Sequence, residues 1–140
     1  MGIRDQNLEA TGAIFASFRV KQTGGVDDLK DADVGKAVTL TGDNQAGPAT
    51  DGSVLLGKLI DLTLTDAEAG KRVATVQIGG VMTLPITTTY PAVSNRVVGA
   101  AAGAVKQAPA LTDYDPAGGN SARGTVIAVN GSAECTLILN

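Results

Sequence analysis

Few residues in this chain of 140 could do chemistry. There is no histidine, which removes Ser-His-Asp and Cys-His catalysis and every histidine metal site. The single cysteine, Cys135, sits in Ala133-Glu134-Cys135-Thr136-Leu137-Ile138-Leu139, a strand-like run. A nucleophilic thiol needs a base and an electropositive setting, and the adjacent side chain is Glu134, so Cys135 reads as a small buried hydrophobe. Gly52-Ser53-Val54-Leu55-Leu56-Gly57-Lys58 fits the start of a phosphate-binding loop. That loop needs a hydroxyl next and a helix after it; here Leu59 follows, inside a strand. Asp31-Ala32-Asp33-Val34-Gly35 looks faintly like a calcium loop, but Gly42 stands where a bidentate Glu is required. Asp113-Tyr114-Asp115 precedes Pro116-Ala117-Gly118-Gly119 and reads as turn chemistry. Asp61 interrupts an apolar strand and is expected to face solvent. Nothing marks two of the 14 acidic residues as an acid/base pair. Asn130-Gly131-Ser132 matches a glycosylation sequon without a secretory signal to support it. No enzyme and no cofactor is expected.

Composition points the same way. One domain fits this length. Hydrophobic residues make up 44% and aromatics only 3%, so the core must be built from Val, Leu, Ile and Ala. A net charge of −3 and scattered arginines give no basic footprint for nucleic acid. No apolar run approaches the roughly 20 residues of a membrane helix, and Gly99 to Gly103 matches GxxxG without one. A single cysteine allows no intrachain disulfide, so a reducing cytoplasm is the expected place of synthesis.

The elements that must position these residues are short strands joined by tight turns. Ile14, Phe15, Phe18 and Val20 favour extended chain over a helix across 13–21, and residues 1–22 read as an N-terminal arm or edge strand. A first core strand is the competing reading. Residues 23–140 read as one β-barrel-like domain. Val34 to Gly42 is a turn plus strand, 43–53 a polar loop, and Val54 to Leu64 a longer strand in which Gly57 marks a bulge or bend. Val73 to Ile78 is a strand, and Gly79-Gly80 predicts a tight hairpin into Val81-Met82-Thr83-Leu84, ended by Pro85. Short strands follow at Val97-Val98 and Ala104 to Lys106, and 108–123 is a long loop. Gly124 to Val129 and Glu134 to Leu139, joined by Asn130-Gly131, form the clearest hairpin. The expected fold is mainly β, a compact small barrel or sandwich with long loops.

Several of these runs resemble the small capsid cement, or head decoration, proteins of tailed bacteriophages. The matching runs include Val34-Gly35-Lys36-Ala37-Val38-Thr39-Leu40, Leu55 to Ile60, Val76 to Pro85, Pro91 to Val98 and Gly124 to Val129. In such proteins a Gly-Gly hairpin ending in Leu-Pro precedes a Pro-x-Val-Gly-Asp-x-Val turn; here Ser94-Asn95 replaces Gly-Asp. The resemblance implies a β-tulip-like barrel and a structural virion protein on the outer surface of the capsid. Its implied partners are the major capsid protein and further copies of itself, most plausibly as trimers, without nucleic acid or membrane. Binding would stabilise the expanded, DNA-filled head. The contact residues expected on this reading are Ile14, Phe15, Phe18, Arg19, Pro85, Ile86, Tyr90 and Tyr114, and 43–53, 85–91 and 108–123 are further candidate segments. The competing functions are another virion β-module, such as a tail-tube or head-completion subunit, and a small glycan- or lipid-binding module.

Overall fold

The computed structural model describes residues 10–63, 72–110 and 122–139. The strands are β1 (Ile14–Val20), β2 (Gln22–Thr23), β3 (Val26–Asp27), β4 (Ala37–Gly42), β5 (Gln45–Pro48) and β6 (Gly57–Leu62), followed by β7 (Val73–Pro85), β8 (Val97–Ala100), β9 (Ala104–Gln107), β10 (Thr125–Asn130) and β11 (Glu134–Leu139). Among the described residues, helix is limited to 3-10 turns at Asp31–Asp33 and Ala101–Gly103.

The mainly β expectation holds, and the architecture is a closed barrel. β1, β5, β4, β6 and β7 pair in that order, and β7 returns to β1. β1 runs parallel to β5, and the other joints are antiparallel. Alternation puts Ala74 and Val76 of β7 inside with Val20, Val38, Leu59 and Leu62, and Phe18, Leu56 and Ile78 pack against them. The fully buried part of the barrel core is aliphatic, with Phe18 half-buried against it, which is how a chain so poor in aromatics can fill it.

β7 overturns the predicted Gly79-Gly80 hairpin. It is one strand of 13 residues. Its first half is a barrel stave between β1 and β6; its second half, from Gly80 to Pro85, pairs with β11, which pairs with β10. Gly80 has φ +89, and a Cβ there would lie 2.6 Å from Thr11 O and 2.7 Å from Gly12 C. The chain entering β1 lies directly over Gly80, which is why a side chain is excluded. The glycine pair therefore marks a crossing between two parts of the fold, not a reversal. Beyond it lies a second core built around Leu55, Met82, Leu84, Val97, Val105 and Leu137. The β8–β9 hairpin joins this core through the Ile86–Val105 and Val97–Arg123 bridges.

Three local expectations change. The predicted 43–53 loop contains β5, reached from β4 by a tight turn with Asn44 at φ +57. Its Gly-Pro composition hides a strand of four residues. The strand predicted from Val54 begins at Gly57, and its bulge falls between Leu59 and Asp61. Residues 1–22 are not a detached arm throughout, because Ile14–Val20 is a barrel stave. The hairpin around Asn130-Gly131 stands as expected, with Gly131 at φ +56.

Candidate functional site

Among the described residues, the sites suggested by sequence chemistry make structural contacts, and Asp113 and Asp115 lie outside the described residues. Gly57 and Lys58 open a strand held between β4 and β7, not a loop before a helix. The Asp31 carboxylate meets Arg72 at 2.6 Å, and Asp33 meets Lys36 at 3.5 Å while accepting the Lys30 amide at 2.8 Å. Asp61 is exposed, as expected. Among the described residues no cluster of three His, Cys, Asp or Glu is placed to hold a metal. A cleft of about 510 Å³ lies beside Thr39, Leu40, Val54, Leu56 and Arg123. Arg123 serves there as a tie: its Nη1 donates to Leu55 O at 2.6 Å, and burial lowers its pKa. The cleft lining has no aromatic ring on which a sugar could stack.

Cys135 is buried in the second core. Burial, and then the negative charge of Glu134, pushes its thiol from an ordinary 9.0 up to about 12. Folded protein should therefore resist iodoacetamide at pH 8, and label at Cys135 only in denaturant; rapid labelling of the native protein would contradict its placement. The sign for stability follows. The folded-state pKa is the higher one, so this contribution is full below the unfolded-state value and is lost as pH rises from there toward 12.

Among the described residues the fold presents exposed apolar side chains at several places, Leu40 and Val54 beside the cleft included, and two of these places carry expected contact residues. The first is the start of β1. Ile14 and Phe15 are 60% and 52% exposed. A register shift between them sets both opposite the same stretch of β7, with Ile14 facing Gly79 and Phe15 facing Gln77. Phe18 instead packs half-buried against the barrel core, and Arg19 is exposed beside Val73.

The second is the loop from Thr89 to Asn95. Tyr90 and Val93 are 53% and 59% exposed. The loop is held at both ends. The Gln107 amide donates to Thr89 O at 2.9 Å, and Ser94 N donates to Val126 O at 2.8 Å. Inside it, Ala92 N donates to Asn95 Oδ1 at 2.7 Å, and Pro91 is buried. Thr89 and Ser94 take left-handed φ values of +55 and +78. Such strain in non-glycine residues, one of them β-branched, persists only where the surroundings impose it. Tyr90 and Val93 are therefore presented on a rigid support.

Of the other expected contact residues, Pro85 ends β7 opposite Glu134, and Ile86 is buried in the second core and unavailable to a partner. Tyr114, with most of the 108–123 loop, lies outside the described residues. Val93 was legible only as part of a turn; its exposure depends on backbone strain that composition does not reveal. Searches against protein-family models, curated proteins and solved structures each returned no match.

Proposed function

We propose that this protein is a non-enzymatic capsid cement that binds the outer face of a viral shell through apolar contact surface. The observation that carries this reading is the turn at Pro91 to Val97. The resembling family has Gly-Asp where this chain has Ser94-Asn95. Ser94 adopts φ +78, the conformation glycine takes freely, and Asn95 Oδ1 accepts the Ala92 amide at 2.7 Å, as an aspartate carboxylate would. The two departures from the pattern thus supply the left-handed residue and the side-chain acceptor that Gly and Asp would supply there. A rigid loop tip carrying Tyr90 and Val93 suits docking, because little side-chain or loop entropy remains to be lost on binding. A mildly acidic protein also avoids adhering to packaged DNA.

Ser94→Gly tests the turn itself. Removing the left-handed strain should raise stability by about 0.5–1 kcal/mol, seen as a melting point a few degrees higher. An unchanged or lower melting point would remove the geometric support for the resemblance.

The function is tested with expanded capsids lacking the protein, from the virus that encodes it. Wild-type protein should bind them stoichiometrically and raise their rupture temperature. The paired change Tyr90→Asp and Val93→Asp should weaken binding at least about tenfold, the scale expected for losing two apolar anchors. Capsids with and without the protein that rupture at the same temperature would refute the reading.

A further inference from the structure

β1 closes the barrel along only part of its length. The Arg19 and Lys21 amides donate to Asn44 O and Ala46 O, both at 2.9 Å, whereas the Val20 amide donates to Arg72 O at the start of β7. Odd-numbered residues of β1 therefore aim their backbone groups at β5, and even-numbered ones aim at β7. The ladder to β5 contains only Arg19 and Val20, because β5 begins at the turn through Asn44. By this alternation the N–H and C=O of Phe15 and Ser17 point to the same side beyond the end of β5, where β1 pairs with no strand among the described residues. The slot runs from Ile14 to Phe18. Its far end is closed by Asn44 at Arg19, and its near end by the turn in which Ala13 N donates to Ala10 O at 3.1 Å. An open backbone edge flanked by exposed Ile14 and Phe15 invites strand addition.

We propose that this edge pairs antiparallel with β1 of a second copy, about a two-fold axis through Ala16. The slot is symmetric about that residue. In this register Phe15 lies opposite the partner's Ser17 and Ser17 opposite the partner's Phe15, so the outward donors and acceptors satisfy one another in closely spaced pairs. Each exposed Phe15 ring gains a small neighbour. Shifting the register one step toward the C-terminus would set Phe15 against the partner's Arg19, whose backbone slot Asn44 already fills. A shift the other way drives the strand into the Ala10–Ala13 turn. The pairing is isologous, so it closes at two copies and leaves no sticky edge. It uses no residue of the Tyr90–Val93 loop and does not depend on shell binding. Where a shell is bound, it would tie one copy to its neighbour.

A five-residue pairing lies at the small end of protein interfaces, so association is expected to be weak, and the test needs a concentration series from about 5 µM to about 1 mM. In sedimentation velocity the weight-average mass should rise from 14.0 kDa toward twice that value. Ser17→Pro removes an amide that faces away from β7, and should weaken association at least tenfold while keeping the β circular dichroism. Ala16→Cys tests the register in a chain that keeps the edge intact. Residue 16 faces itself across the axis at a non-hydrogen-bonded position, where Cα atoms lie about 4.5 Å apart, so a disulfide-linked dimer should form under mild oxidation. The buried Cys135 does not compete. A constant monomer mass would overturn the proposal. So would association that Ser17→Pro leaves unchanged, or an Ala16→Cys variant that cross-links no faster than a Thr88→Cys control, at an exposed position outside the strands.

Discussion

Deleting residues 1–22 is expected to unfold this protein, not to trim a binding arm from an intact barrel. β1 pairs with β7 from Ile14 to Arg19 and with β5 at Arg19 and Val20. Its loss removes the Val20 side chain, 1% exposed, from the barrel core, and uncovers Ala74 and Val76, which are completely buried. It strips hydrogen bonds from one edge of β7 and from β5, leaving buried amides and carbonyls to water or to nothing. The segment before β1 is lost too, and with it the bonds of Ala10 N to Val81 O and Val81 N to Thr11 O, at 2.8 and 2.9 Å. A domain's whole stability is about 5–15 kcal/mol, and removing one of five staves from a closed barrel is on that scale. The truncated chain should show no cooperative thermal transition and little near-native β circular dichroism. A truncated protein melting cooperatively within about 5 °C of the full chain would show that β1 contributes little to closure.

Gly57→Ala should be nearly as damaging, by a different route. A methyl group at Gly57 would overlap Gln77 O and lie 2.9 Å from Gln77 C, both backbone atoms of β7. Backbone in the middle of a ladder cannot swing aside as a flexible side chain can. Gly57 opens β6 beside Val38, and Lys58 pairs with Gln77, so the clash falls where β4, β6 and β7 meet. Gln77 is itself fixed, because it is 1% exposed and its Nε2 donates to Gly79 O and Val81 O at 3.1 and 3.0 Å. Separating the strands is the remaining relief, and it disturbs Leu59 and Val76 behind them. The expected loss is about 3–5 kcal/mol, at or above the upper end for overpacking, which corresponds to a melting point lower by roughly 10–20 °C. Chemical denaturation with matched m-values would measure it, and a loss under 1 kcal/mol would mean that the strands part easily there.

Fold class and the clearest turns were legible in the order of residues alone. Val- and Thr-rich runs separated by Gly, Asn and Asp marked strands within Val34 to Gly42, at Val97-Val98 and at Glu134 to Leu139, where the structure has Ala37–Gly42, Val97–Ala100 and Glu134–Leu139, because alternation and turn chemistry are local properties. The same local reasoning read Asp61 as solvent-facing and Cys135 as buried. Which strands close on one another emerged only in the folded chain, since barrel closure depends on pairings between residues far apart in sequence. Gly79-Gly80 looked like a hairpin because two glycines in sequence are ambiguous between a reversal and a crossing, and the Thr11–Gly12 segment that lies over Gly80 is almost seventy residues away. Ile86 looked as available as Tyr90; its burial comes from β9, through the bridge to Val105. That the first half of β1 has a strand neighbour on one side only, among the described residues, was hidden for the same reason. Whether a strand has a free edge depends on where its neighbour stops, and β5 stops at Asn44 by a turn that carries no mark in the sequence of β1.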